Sequence, residues 1–525
     1  MYSPHHIRRI WILTFEFSGI AKVGGLGEVI PLIARELTKK GYDVVIVMPS
    51  HGITPHGFKE LDLECQGSRY GVDGVEYPYD LGFLEGVVEG VKVVLVKGKS
   101  YRTSMVLDVW PPYSYVSEKA CLLARAVHCL AKRFGYPDII HANDWHSAVA
   151  AALLKIDAEL RGYALPVLYQ IHLRGSPSYP WHYASEHWCG LPDTMQRIWA
   201  TTKHIFMHTK DLWDSCWGNI ECFIVKLADT IATVSKSELE LLVRDYGEWI
   251  RGKTCYSYNS TSWSIKEVEE NALKLYNTKR RGEIRWRLVN ELLQKFTTWG
   301  YLNLTDNEVL VISSGRLTPQ KGFDVLLHAA KLLPPSIKVI VLGRRVGDES
   351  YEHYLRNLLN EVWGKTIIIV DDVEQTLYQL LIYSSHVYSL SSRYEPFGIS
   401  GIEALALGTP IVVSNIGGLG EYVSDLRVNP LGVGIKVQQD NVTELAMAIQ
   451  SLGYLVYYSE TGKGIDKIVF RELRDLALRE HKFGEKLRDI TVAYVDMIFR
   501  PEHTANSTLA CYELARQMAF YRANA

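Results

Sequence analysis

No apolar run in this chain approaches the ~20 residues needed to cross a bilayer; the longest strongly apolar stretches, such as Ala148 to Leu154, are far shorter. A membrane partner is therefore not expected. An excess of one charge is missing too. Lys and Arg total 57 against 59 Asp and Glu, a formal net charge of −2, so no global positive field recruits nucleic acid and any anion site must be local. The opening residues, Met1-Tyr2-Ser3-Pro4-His5-His6, lack the charged segment and apolar core of a signal peptide, and the expected location is the cytoplasm. The eight cysteines, at 65, 121, 129, 189, 216, 222, 255 and 511, show no short paired spacing of the zinc or redox kind. They are expected as reduced, mostly buried thiols, with Cys121 and Cys129 packing in a helix core. His182 with His187, and His204 with His208, lack a third ligand or a glutamate motif, so no metal is expected. Low-complexity segments and short-period repeats are absent as well.

What is present is a soluble-type composition, 47% hydrophobic and 22% charged, spread over 525 residues. Single cores stop growing near ~250–300 residues, so two domains are expected. The apolar run Ile10 to Phe15, the amphipathic segment Leu26 to Lys40 and the run Val44 to Val47 form a βαβ unit of a parallel sheet. Further strands are predicted at Val93 to Val96, Ile139 to His141, Val167 to Ile171 and Thr230 to Val234, with a helix over Glu118 to Phe134. The pattern repeats with runs at Val309 to Ser313, Lys338 to Leu342, Ile367 to Val370, Val387 to Leu390 and Pro410 to Val413. Between the two sets lies the polar, helix-prone stretch Ser262 to Thr298, whose Lys279-Arg280-Arg281 run reads as a solvated helix face. The tail from Phe483 to Tyr521 also reads as helix. The fold class is α/β, with two doubly wound Rossmann-like domains.

Open α/β sheets bind ligands beyond the carboxyl ends of their strands, so chemistry belongs in the loops that follow strands. After the first strand comes Lys22-Val23-Gly24-Gly25-Leu26-Gly27-Glu28, where glycines permit close backbone approach, a helix start offers N–H groups and Lys22 adds charge. Such a turn is either a diphosphate cradle or a packing device. In the second half, Ser314 to Gly322 places Arg316 and Lys321 on one strand-to-helix loop, a planar fork and a point charge that together suit a diphosphate, or else two surface bases. Then Ser391 to Ser400 carries Glu395, with Glu403 eight residues later on the following helix. Carboxylates pair well with vicinal sugar hydroxyls, and Gly398 lets backbone N–H groups face a ligand. Gly417-Gly418-Leu419-Gly420-Glu421 opens another helix.

Taken in order, these elements resemble the glycogen and starch synthases. The Lys22, Gly24, Gly25 turn looks like that family's glycine-rich donor loop, and the Arg316 to Gly322 and Glu395 to Glu403 stretches look like its donor-site motifs. His141-Ala142-Asn143-Asp144-Trp145-His146 and Gln170-Ile171-His172 fall where the family has strand-end residues. The resemblance implies a retaining glycosyltransferase of archaeal or bacterial type, with the two-domain GT-B fold and its central cleft. It implies an acceptor-side domain at 1–245, a nucleotide-sugar domain at 246–485, and last helices at 486–525 that pack back on the first domain. It further implies that Lys22, Arg316 and Lys321 bind the donor diphosphate, and that Gly24 and Gly25 belong to the donor loop. Glu395 and the backbone of Phe397, Gly398 and Ile399 hold the glucosyl hydroxyls, Asn259 contacts the sugar and Glu403 the ribose. His172 sits by the reacting carbon and Asp144 lines the acceptor side. The substrates implied are ADP-glucose or UDP-glucose and a glucan such as glycogen, with no cofactor and no metal.

The chain departs from the family pattern in places. Tyr258-Asn259-Ser260-Thr261 stands where an Asn-Gly pair is usual, and the loop after His172 reads Leu-Arg-Gly-Ser-Pro-Ser. Trp181, Trp188, Trp199, Trp213 and Trp217 lie in a segment without a family motif, and serve either in packing or in stacking on glucan rings. The alternatives are a small-acceptor retaining transferase of the trehalose- or sucrose-forming type, a sugar-nucleotide epimerase sharing this architecture, and a non-catalytic glucan-binding protein.

Overall fold

The structure is a computed structural model, and it describes residues 6–200, 203–303 and 308–524. The opening residues 1–5, on which the signal-peptide reading rested, lie outside the described residues. Two compact units are formed: Met1–Asn259 joined by Pro501–Ala525, and Ser260–Arg500. Both crossings fall later in the chain than the sequence predicts. The strand Thr254–Tyr256 adds to the first sheet, and the helix Phe483–Ile498 packs on Val442–Thr461 in the second unit.

The first unit is built on a ten-stranded sheet. Its parallel part uses β1 (Arg9–Leu13), β2 (Asp43–Pro49), β6 (Val91–Gly98), β7 (Ile139–Asn143), β8 (Val167–Ile171), β11 (Thr230–Thr233) and β12 (Thr254–Tyr256). Three strands extend one edge in antiparallel fashion: β3 (Lys59–Glu60), β4 (Cys65–Tyr70) and β5 (Glu76–Val88). A separate hairpin pairs β9 (Met195–Ala200) with β10 (Lys203–His208). The order β12-β11-β8-β7-β1-β2-β6-β5-β3 reverses direction between β1 and β7. That reversal is the topological switch point, where the loops after β1 and β7 diverge and leave a crevice.

The second unit repeats the plan in seven strands, ordered β13-β16-β15-β14-β17-β18-β19. These are β13 (Thr298–Leu302), β14 (Val309–Arg316), β15 (Ile337–Arg344), β16 (Lys365–Ile369), β17 (Val387–Leu390), β18 (Ile411–Ser414) and β19 (Gly434–Val437), all parallel except β13. Its switch point lies between β14 and β17, whose following loops carry Arg316 to Gly322 and Ser391 to Gly398. Strands β16 to β18 are buried nearly from end to end, and β14 and β15 are buried except at their carboxyl ends, as expected of strands covered by helices on both faces.

The cysteines overturn the expectation of reduced thiols, since all eight are paired and none is free. Cys65 of β4 joins Cys129 of the helix Val116–Phe134, and Cys121 of that helix joins Cys189. Cys216–Cys222 closes a short turn, and Cys255 of β12 joins Cys511 of the C-terminal helix Pro501–Asn524. Three of the bridges span 64, 68 and 256 residues, so the partners become neighbours only through the fold. The C-terminal helix is anchored a second time by buried Arg522, whose guanidinium donates to both oxygens of Asp229 at 2.8 and 3.0 Å. The Lys279-Arg280-Arg281 run is only partly a solvated face. Arg280 is exposed, but the Arg281 guanidinium stacks 3.7 Å from the Tyr383 ring and burial lowers it to about 9. Among the described residues no helix is long and apolar enough to cross a membrane.

Candidate active site

In the first unit, β1 runs into Thr14-Phe15-Glu16 at the switch point. Glu16 is buried, and its Oε2 accepts the backbone N–H groups of Val23 at 2.6 Å and Gly24 at 2.7 Å. Its other oxygen accepts from the Tyr113 hydroxyl at 2.5 Å. The turn predicted to offer free N–H groups to an anion therefore spends two of them on a carboxylate of its own unit. Gly27 leaves room for that arrangement: a Cβ there would lie 3.0 Å from the Lys22 side chain and 3.1 Å from Glu16 Oε2, a tight fit that one of them would have to relieve. Lys22 is half exposed and pairs with Glu28 in the first turn of the helix Leu26–Lys39. Nothing in the glycine pattern pointed to Glu16, although a lone acid between two phenylalanines at a strand end is a visible oddity.

Across the same switch point, Asp144 follows β7 with a left-handed φ of 55°, a conformation costly for a non-glycine residue. The strain sets its side chain against the next strand's exit: Oδ1 accepts the N–H of His172 at 2.7 Å and of Leu173 at 3.3 Å. Burial pushes the Asp144 carboxyl up to about 7, with Glu221 and Glu16 adding like-charge repulsion. Burial also lowers the His172 imidazole to about 3, so the ring is neutral. Its Nε2 donates to Asn143 Oδ1 at 2.9 Å, because the Asn143 amide nitrogen is already directed at the Leu13 carbonyl, 3.1 Å away. His141 bonds Gln170 at 2.8 Å through Nε2 and the Tyr512 hydroxyl at 2.9 Å through Nδ1. Asp144 and His172 are thus brought together, and Asn259 lies elsewhere in the chain order, buried at the end of this unit with its Oδ1 lacking a hydrogen-bond partner.

In the second unit the loops after β14 and β17 meet. Lys321 Nζ lies 2.5 Å from Glu395 Oε2, with both side chains mostly shielded from solvent. Arg316 is exposed on the same loop as Lys321, touching Gln320 at 3.4 Å. Two bonds lace the loops together: the Arg393 N–H donates to the Gln320 carbonyl at 2.7 Å, and Gln320 Nε2 to the Tyr394 carbonyl at 2.9 Å. The Arg393 guanidinium pairs with Asp324 at 2.7 Å and Asp440 at 2.8 Å. Gly322 is obligatory, since a Cβ would come within 2.0 Å of the Ser391 carbonyl. Phe397 sends its ring into the core against Tyr422, so only its backbone can face a ligand. Gly398, at a φ of 93°, caps the helix Ile399–Ala406, which carries Glu403. The Gly417-Gly418 turn proves to be a packing device: a Cβ on Gly417 would lie 2.1 Å from the Glu395 carbonyl, and the Gly418 N–H donates to that carbonyl at 3.3 Å. Sequence reasoning missed Gln320, Arg393 and Asp324, whose only sequence signal is charge near a loop.

The tryptophans divide. Trp213 is wholly buried, Trp188 lies 4.3 Å under the Arg69 guanidinium, and Trp181 packs against Trp213, but Trp217 is 92% exposed. His182 Nε2 donates to the Tyr70 carbonyl, 2.8 Å away, and no cluster of three or more metal-binding side chains occurs among the described residues.

Comparison with known proteins follows the same division. Residues 9–252 match the starch synthase catalytic domain, and residues 301–453 match glycosyl transferases group 1. The glycogen synthase of Thermotoga maritima is 26% identical over 473 residues, covering 86% of this chain and 92% of its own. The glycogen synthase of Clostridium kluyveri is 29% identical over 427 residues, covering 77% and 82%. Over most of its length the chain is similar to the glycogen and starch synthases. Among solved structures, the catalytic domain of starch synthase IV from Arabidopsis thaliana, bound to ADP and acarbose, superposes with a TM-score of 0.70 at 18% identity, covering 97% of this chain and 99% of that one. The fold is that of the GT-B glycosyltransferases.

Proposed function

We propose that this protein is an α-1,4-glucan synthase that moves glucose from ADP-glucose or UDP-glucose to the non-reducing end of a growing glucan, with retention at the anomeric carbon. The observation that carries this reading is the pairing of Lys321 with Glu395 at the second switch point, with Arg316 on the same loop. The lysine is a cation for the diphosphate, and the carboxylate beside it is an acceptor for the sugar hydroxyls. On binding, the donor exchanges one ion pair for two contacts, phosphate to Lys321 and glucosyl hydroxyls to Glu395. The backbone of Phe397, Gly398 and Ile399 is assigned to the same hydroxyls, Glu403 to the ribose, Asn259 to a sugar contact, and Lys22 with Gly24 and Gly25 to the donor loop.

As the glycosidic bond breaks, its electron pair moves onto the departing phosphate oxygen and the ring becomes cation-like. Fixed positive groups at that oxygen stabilise the transition state more than the bound ground state. Arg316 and Lys321 supply that charge, so no metal is assigned to the reaction. His172, neutral through burial, imposes no like-charge penalty on a cation-like ring. Asp144 is assigned to the acceptor side.

The test is a donor panel, ADP-glucose against UDP-glucose with glycogen as acceptor and a chelator present, read as chain elongation and as the anomer formed. Absence of elongation with either donor would overturn the reading, and loss on chelation rescued by a divalent ion would overturn the metal assignment. We also place the protein in the cytoplasm. Four disulfides there are compatible with the disulfide-rich intracellular proteins of hyperthermophiles. Counting free thiols in protein isolated under acid quench tests that placement.

A further inference from the structure

The loop after His172, where this chain departs from the family pattern, is held by a second carboxylate that the reaction scheme does not use. Glu221, in the first turn of the helix Ile220–Leu227, is 4% exposed. Its Oε2 accepts the Gly175 N–H at 3.1 Å and its own N–H donates to Ser176 Oγ at 2.9 Å. Beside it, Asn219 Nδ2 donates to the Ser176 carbonyl at 3.1 Å. Gly175 reaches this position with a φ of 108°, a conformation glycine adopts without steric cost. The other end of the loop is tied by Asp144, which takes the N–H groups of His172 and Leu173. Four of five successive residues are therefore fixed by two buried carboxylates and an asparagine.

The holding segment is itself constrained. Cys216–Cys222 closes the turn that contains Asn219 and Glu221, and Gly218 lies so close to Tyr179 that a Cβ would meet its carbonyl at 2.0 Å. Further groups meet the other Glu221 oxygen: the Tyr246 hydroxyl donates to Oε1 at 3.3 Å, and Arg174 Nε stands 4.0 Å from the same oxygen while Nη1 binds Asp245 at 2.6 Å. A buried carboxylate is costly unless such partners compensate it, and here they tie its position to that of the loop.

We propose that Glu221 is a positioning residue for glucosyl transfer, setting the backbone path of the loop 172–176 and, through it, the place of His172. This rests on the reading of the protein as a glucan synthase. A displacement of about 1 Å at a reacting centre can cost about 10²-fold in rate, so Glu221→Ala should lower kcat by up to that factor while changing the KM of donor and acceptor little. Glu221→Gln keeps an acceptor for Gly175 and should recover most of the loss. Ser176→Ala, which removes the acceptor of the Glu221 N–H without touching the carboxylate, should give a smaller fall in kcat.

Hydrogen exchange across 172–176 supplies a readout independent of activity, and exchange at Gly175 should accelerate in Glu221→Ala while the preceding strand β8 stays protected. A folded Glu221→Ala protein with unchanged kcat and unchanged exchange would overturn the proposal. So would a Glu221→Gln protein as slow as the alanine variant with an equally lowered Tm, since that pattern marks a role in stability alone. If the wild-type chain transfers no glucose, the functional reading fails, and unchanged exchange in Glu221→Ala would separately dispose of the loop contact.

Discussion

All eight cysteines lie in the first unit, joined in four bridges, whereas the second unit has none and relies on a buried ion cluster. There Glu460 takes Arg285 and Arg488 at 3.0 Å each, and Arg285 and Arg488 also donate to the carbonyls of Ser384 and Ser385 at 2.6 and 2.9 Å. The same contrast runs through the two switch points. In the first unit, carboxylates of Glu16, Asp144 and Glu221 hold backbone amides, so the loops are shaped before any ligand arrives. In the second, the charge is carried on the long side chains of Arg316 and Lys321, the latter held by Glu395. One topology thus supports a half whose loops are defined by backbone amides and a half whose charge is carried on side chains.

The largest effect should come from Lys321. Removing one preorganised donor at a developing negative charge typically costs ~10²–10³ in kcat, and Lys321→Ala should do so with a smaller change in donor KM. Arg316→Ala should behave similarly. Steady-state kinetics with both substrates varied checks this, and raised KM at unchanged kcat in both variants would reduce the two residues to nucleotide holders.

Next in size is the ion cluster itself. Burial opposes ionisation of Glu460, yet Arg285 and Arg488 hold its carboxyl well below the usual carboxylate range. Glu460→Ala leaves two buried guanidinium groups uncompensated, and loss of one partner of such a pair costs about 3–5 kcal/mol. Denaturant unfolding should show the loss in the second unit, and a change confined to the first would break the comparison. Reduction of the bridges should do the converse. Native disulfides contribute about 2–4 kcal/mol each, so a phosphine reductant should lower the Tm and raise hydrogen exchange in residues 6–259 and 501–524 while leaving 260–500 protected.

Acid should also separate the units. Burial lowers His51, His146 and His172 to about 3 and His141 to about 4, all in the first unit, against His386 alone at about 4 in the second. A base with a depressed native value binds fewer protons folded than unfolded, so its stability contribution is present above about 6.5 and is lost as pH falls toward the native value. Asp144, raised to about 7, acts in the opposite sense between about 4 and 7, since the folded state there binds the extra proton. Unit-resolved hydrogen exchange from pH 7 to 4 should show the first unit weakening sooner, and more steeply in Asp144→Asn. The smallest expected effect is at Trp217, which stands 92% exposed in a bridged turn. Trp217→Ala should weaken glycogen binding a few-fold while leaving turnover on a short oligosaccharide unchanged, and equal loss on both acceptors would count against a stacking role.

Much of this protein was determined by local sequence. Runs such as Val167–Ile171 and Val387–Leu390 are strands as read, because an apolar run bounded by turn residues has few other uses in a buried parallel sheet. The loops bearing Lys22, Arg316, Lys321 and Glu395 were visible for the same reason: glycines and charges at strand ends are a local signal. Only the tertiary structure decided the rest. It put Glu16 under the glycine turn, Glu221 behind the His172 loop, Gly417 against Glu395, and each cysteine beside its partner. These pairings join residues up to 256 positions apart, and sequence spacing carries no trace of them. A hydrogen bond, a close approach or a disulfide needs two groups within a few ångströms, and only the path of the folded backbone sets that distance.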